Sequence, residues 1–313
     1  MNTFVRLLVY AIAMASTSIQ AQICYMASED TSVTHHRDVQ HFIHTIQSET
    51  GETILNSRLS TNEKRCRNAK LFIAIKLDSI KEIHELFGNA NILAALSSKQ
   101  EVLHYRSAHP EHKFSAIFTD VSPLNNIAMI KSTFPQGSRF LYLRQNISET
   151  NEFKDIKQIS KHLGVNLIGS EFGKNNTLFE TIAWHDRKSN INGVVIDSQV
   201  NLNRETLINL IRFCYHKRLF LVGASPSIAQ SGALIASYST LSDHARHIGE
   251  ISNNVINYGA RLSDEYPKYF NIDINYNLAR SFNLRVPEKI DAYNKIKLVL
   301  NQYIDGGKYV AVR

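Results

Sequence analysis

The chain has 313 residues, 43% hydrophobic and 20% charged, which is ordinary for a globular protein and long enough for two compact domains. A formal net charge of +7 raises nucleic acid as a partner. The basic residues are spread along the chain, however, and the densest run, Lys64-Arg65-Cys66-Arg67, has no interleaved aromatics, so it reads as solvated surface and no nucleic-acid partner is expected.

At the amino terminus, Arg6 supplies a positive region, Leu7 to Ala15 an apolar one, and Thr17 to Ala21 a more polar approach to cleavage after Ala21. Residues 1–21 are expected to be a signal peptide. A retained anchor and a lipoprotein modified at Cys24 are the alternatives; Gln22-Ile23 lacks the small residues that lipoprotein processing prefers. No later segment has the long uncharged run of a membrane-spanning helix. From Gln22 onward, short apolar runs alternate with longer amphipathic ones, the pattern of βα units and a parallel sheet.

Ile23 to Ala27 is the first strand, followed by a helix from about His36 with Val39, Phe42, Ile43 and Ile46 inward. Thr53 to Ser57 is a weaker strand. Leu71 to Ile75 is a strong one, leading through Lys76-Leu77-Asp78 into a helix that stops at Gly88. Ile92 to Leu96 and Phe114 to Phe118 complete one lobe. Turn residues at Pro135-Gln136-Gly137 mark the internal boundary. A second series follows at Phe140 to Leu143, Val165 to Ile168, Val194 to Ile196 and Leu219 to Val222. The last leads into Gly223-Ala224-Ser225 and Ser227, small residues that let backbone approach a ligand beyond a strand's carboxyl end. Gly232 to Tyr238 is a second apolar segment ending in Ser-Tyr. Asp243 is expected to cap a helix beginning near His244, with Ala245, Ile248, Ile251 and Val255 on one stripe. Asp305 to Val310 reads as a final turn and short strand.

The order from Leu219 to Glu250, strand, small-residue loop, apolar segment closing on Ser237-Tyr238, then Asp and an amphipathic helix, resembles the substrate-binding proteins of ABC transporters. Within them it is similar to the periplasmic family whose characterised members bind aromatic amino acids such as tryptophan and tyrosine. Ile272-Asp273-Ile274-Asn275-Tyr276-Asn277-Leu278-Ala279-Arg280 and Leu284-Arg285-Val286-Pro287 are similar to that family's closing pattern. Ala116-Ile117-Phe118-Thr119-Asp120-Val121-Ser122-Pro123 is similar to its turn before a helix. The likeness runs from about Phe114 to Glu288.

The resemblance implies a type I periplasmic binding fold, α/β, with two Rossmann-like lobes of parallel strands flanked by helices and a ligand cleft between them. Residues 22–137 would be lobe 1, with a return segment near 238–270, and 138–237 would be lobe 2, with a return segment near 271–313. If strand exits face the cleft, the ligand contacts are Ser28, Asp78, Ser97, Thr119 and Asp120 from the first lobe. Gln145, Ser170, Glu171, Asp197 and Ser225 come from the second, with Ser237 and Tyr238 at the crossing. Such hydroxyls and carboxylates suit a small zwitterion. Asp and Ser at strand ends also serve as helix caps, Asp120 being the clearest case.

No G-x-S-x-G elbow, phosphate loop or H-E-x-x-H pair is present, so neither an enzyme nor a cofactor is expected. Among the thirteen histidines, His35, His36, His41 and His44, and likewise His244 and His247, read as surface stripes rather than metal sites. Trp184 is expected at a helix end. Of three cysteines, Cys24 and Cys66 either pair in an oxidising compartment or stay as packing residues, and Cys214 reads as a small buried hydrophobe. The expected function is a periplasmic protein that closes on a small organic ligand, with an aromatic amino acid as the class the resemblance favours. It would hand the ligand to an ABC permease, or, in the alternative, signal to a membrane receptor.

Overall fold

The computed structural model describes residues 21–28, 33–145, 151–173, 176–198, 200, 202–305 and 308–309. Apart from Ala21, the expected signal peptide lies outside them. No helix among the described residues is long and apolar enough to cross a membrane. The chain divides into two units. Of the described residues, one unit holds those up to Ser97, Glu101–Ile117 and Ala245–Leu262; the other holds Ser98–Gln100, those from Phe118 to His244 and those from Ser263 onward.

The first unit is built on β1 (Ile23–Ala27), β2 (Ile54–Asn56), β3 (Leu71–Ile75), β4 (Ile92–Ser97) and β5 (Ser115–Phe118). Their order in the sheet is β2-β1-β3-β4-β5, with β1 parallel to both β2 and β3, and β3 parallel to β4. All five residues of β3 are buried, as expected of a parallel strand covered on both faces. The helices are α1 (Val33–Thr50), α2 (Ser60–Cys66), α3 (Asp78–Phe87) and α4 (Lys99–Ala108). Helix α1 buries Val39, Phe42, Ile43 and Ile46, the spacing of one helical face. The short polar helix α2 offered no apolar period and was not foreseen; its one buried residue is Cys66, disulfide-bonded to Cys24. Lys64, Arg65 and Arg67 beside it are exposed, as the solvated reading of that run requires.

The second unit carries β6 (Arg139–Gln145), β7 (Asn166–Phe172), β8 (Gly193–Ile196), β9 (Phe220–Gly223), β10 (Ile235–Tyr238) and β11 (Asn271–Ile274). The sheet order is β11-β10-β9-β8-β6-β7, parallel except for β11, which runs antiparallel to β10. Its helices are α5 (Pro123–Thr133), α6 (Asn151–His162), α7 (Leu178–Ser189), α8 (Arg204–His216), α9 (Pro226–Gln230), α11 (Tyr276–Ser281) and α12 (Lys289–Tyr303), while α10 (Leu241–Tyr258) belongs from Ala245 onward to the first unit. Period-two alternation in β6 sends Phe140 and Tyr142 into a core shared with α5, α6 and α12. Leu141 and Leu143 enter the opposite core, with Leu178, Ile182, Leu207 and Leu210. Pro135-Gln136-Gly137 is an exposed turn feeding β6 inside this unit, because α5 before it packs on α12. The terminal ladder is β12 (Ile304–Asp305) with β13 (Lys308–Tyr309); the turn between them and Val310 lie outside the described residues.

Two expectations need correction. His244 and His247 are buried, at 2% and 3% exposure, since His244 shares a stripe with Ile248 and Val255 on α10. Trp184 sits within α7 rather than at its end, exposed, with the Lys188 ammonium 4.3 Å from its ring centre.

Candidate functional site

In open parallel sheets, ligands bind beyond the carboxyl ends of the strands at the point where strand order reverses. In the first unit that point lies between β1 and β3, since β2 is placed to one side of β1 and β3 to the other. Ser28 follows β1, and its N–H donates to the Ile75 carbonyl at the end of β3, 3.3 Å away. The next segment, Lys76-Leu77-Asp78, joins Ser97, Glu101, His104, Tyr105, Ala108 and His109 around a cavity of about 320 Å³. Asp78 and Ser97, expected separately, therefore line one concavity. Asp78 stands in the first turn of α3, where a carboxylate is favoured by the helix dipole. Lys76 and Leu96 have φ of 68° and 58°, left-handed conformations unusual for such residues.

In the second unit the order reverses between β8 and β6. Gln145 closes β6 by its backbone; its side chain lies outside what the structure describes. Asp197 follows β8 and accepts the Tyr142 hydroxyl at 2.8 Å. Ser170 and Glu171 are on β7, opposite Leu143 and Arg144 of β6. These strand ends share one edge of the sheet.

Arg144 was not foreseen there. It is 6% exposed, and its guanidinium lies 4.0 Å from the centre of the Phe153 ring. Nη2 is 3.8 Å from Glu171 Oε1, a long contact to a half-exposed carboxylate. Nε and Nη1 are buried and have no hydrogen-bond partner among the described residues. Buried donors are nearly always satisfied, so a cation left this way stands out. The available signal was a charge set one residue beyond the apolar run Phe140 to Leu143.

Four of the remaining expected residues, Ser225, Asp120, Ser237 and Tyr238, have structural partners. Ser225 is the N-cap of α9, accepting from the Ile228 N–H at 3.3 Å. The room at Gly223 is used by Ile228, whose Cγ2 would lie 2.4 Å from an added Cβ. Asp120 does cap a helix, but through the N–H of Lys99 at the start of α4, at 2.7 Å, while Ser122 caps α5. Thr119 is half-buried in the same turn. Ser237 is fully buried and donates to Asn126 Oδ1 at 3.1 Å. Tyr238 donates to Asp273 Oδ2 at 2.6 Å, and this bond, with burial second, pushes its phenol up to about 12. Asp243 is inside the first turn of α10, paired reciprocally with Thr240, so Thr240 rather than Asp243 begins the helix.

No family model and no curated protein matches the sequence. Solved structures do. A ligand-free, open substrate-binding protein with adhesive properties from Clostridium difficile is similar at a TM-score of 0.58 and 13% identity, over 93% of this chain and all of that one. An ABC domain in complex with L-Trp from Streptococcus pneumonia aligns at 0.50 and 12% identity, covering 87% of this chain and 98% of that chain. A periplasmic ribose ABC transporter protein from Conexibacter woesei aligns at 0.50 and 8%, over 88% and 98%. With the two mostly parallel sheets and their flanking helices, these likenesses give the chain the type I periplasmic binding protein fold.

Proposed function

We propose that this protein is an exported solute-binding protein that captures a small carboxylate-bearing solute, an amino acid being the leading class, and delivers it to an ABC-type permease. The observation that carries the reading is Arg144, a buried guanidinium with two open nitrogens beside the switch point of a ligand-binding fold. A planar guanidinium matches a carboxylate bidentately, and such a charge-assisted pair contributes about 1.5–3 kcal/mol. The Phe153 ring, already faced by the guanidinium, adds an apolar wall. The streptococcal neighbour's complex with L-Trp agrees with an aromatic amino acid as the solute. Ser28, Asp78, Ser97, Thr119, Asp120, Ser170, Asp197, Ser225, Ser237 and Tyr238 remain proposed contacts or their supports. Capture would work by the two units closing on the solute, which binds the closed state better and shifts the population toward it.

The test is a thermal-shift screen of the mature protein against amino acids and other small carboxylates. A true ligand at a hundredfold excess over its dissociation constant stabilises by about 2.7 kcal/mol. Arg144→Met should then weaken that ligand by about 10- to 100-fold, while the variant itself melts no lower than the parent, because an apolar isostere often replaces a buried charge at no loss. A panel without any shift, or a ligand that ignores Arg144→Met, overturns the reading.

A further inference from the structure

We propose that His109, Glu111 and His112 form a binding site for a divalent transition-metal ion in the first unit. One donor atom from each residue lies within 4.8 Å of the others. His109 Nδ1 is 3.5 Å and His112 Nε2 3.6 Å from the same Glu111 Oε1. Zinc-to-ligand distances of about 2.0–2.1 Å place tetrahedral ligands about 3.4 Å apart, so these edges are already close to the bound geometry.

The arrangement is built by the backbone. α4 ends at Ala108, and the chain turns at once, with the His112 N–H donating to the His109 carbonyl at 3.1 Å. Pro110 is the second residue of that turn, where its fixed φ suits the conformation and brings the first and fourth side chains together.

The imidazole of His112 is held from two sides. Its Nδ1 lies 2.9 Å from the Tyr105 hydroxyl, which suits an Nδ1–H tautomer and directs the Nε2 lone pair toward Glu111. A second hydrogen bond of this kind is what orients metal-binding histidines. On the other side the His84 ring stacks on His112, centres 5.0 Å apart at 14°, and is fixed by donating from Nδ1 to the Gly88 carbonyl at 3.1 Å. Tyr105 is itself wedged between His109, at 4.7 Å, and Phe114, at 5.7 Å. Two imidazoles and one carboxylate with a fourth position open to water suit zinc, nickel or copper rather than calcium or magnesium. Glu111, at 62% side-chain exposure, leaves the site accessible from solvent.

The test uses metal-depleted, untagged full-length protein titrated with zinc chloride in a calorimeter, and with cobalt followed by its visible absorption. One equivalent should bind, with a tetrahedral cobalt spectrum. Glu111→Gln and His109→Ala should each weaken zinc at least tenfold and abolish that spectrum. Tyr105→Phe, which touches no metal, should weaken it by about tenfold or more. His36→Ala/His41→Ala/His44→Ala, removing exposed histidines of α1, should bind as the parent does. Glu111 is exposed, so its loss is read without unfolding, checked by an unchanged melting curve. Absence of binding by the parent, or parent-like binding by His109→Ala/Glu111→Gln, overturns the proposal.

Discussion

Tyr238 illustrates how a residue chosen from the sequence can be chemically distinctive for a structural reason. Its bond to Asp273 and its burial raise the phenol to about 12 from an ordinary 10.0. A raised folded value means the folded state holds the proton longer than the unfolded one. The stabilisation is therefore complete below about pH 10 and is lost as pH rises through about 12. Tyr238→Phe should remove that alkaline loss and, at neutral pH, lower stability by about 0.5–1.5 kcal/mol, both readable from urea midpoints at pH 8 and above 10. An unchanged alkaline slope would show that the phenol is not held by Asp273. The same gap between chemistry and use explains the other residues. Ser225 and Asp120 sit where strand exits place them, but hydroxyls and carboxylates there meet helix N–H groups first. Residue type and spacing indicated where they would lie, not whether a partner already occupied them. Arg144 was illegible because its surroundings are set by Phe153 and Glu171, which come from the following helix and strand.

At the scale of elements, strands such as Leu71–Ile75 and Gly193–Ile196 were plain in the sequence, because burial on both faces demands an unbroken apolar run. α2 was hidden for the converse reason: its sequence STNEKRC has no apolar face, and a covalent bond ties its end to β1. The spacing of Cys24 and Cys66 left pairing and packing open; their Cα atoms, 6.0 Å apart with the sulfurs bonded, decide for pairing. Cys214 is buried and free, the small hydrophobe expected. A bond across 42 residues of sequence restricts the unfolded chain, by loop-closure reasoning, by about 4 kcal/mol. Cys24→Ser/Cys66→Ser should lower unfolding stability by roughly that amount in denaturant, and reductant should do the same to the parent and nothing to the variant. Equal midpoints with and without reductant would contradict the pairing.

For the whole molecule, alternation of βα units was enough to indicate two α/β lobes, and the ordered segments from Phe114 to Glu288 indicated the fold that the solved neighbours share. Which segments return to which unit does not follow from periodicity, since Ala245–Leu262 joins the first unit through contacts such as Asn253 to the Glu49 carbonyl, 204 residues apart. The sheet order adds what a linear reading lacks, since it is the reversals at β1/β3 and β6/β8 that select some strand exits over others. The proposed function places a carboxylate-bearing solute at the Arg144 end of this sheet. Its sharpest check is a pair of calorimetric titrations, one with an amino acid found by the thermal screen and one with its decarboxylated amine. The acid should bind saturably, one to one, and the amine at least tenfold more weakly; equal affinity for the two would mean that Arg144 does not hold a carboxylate.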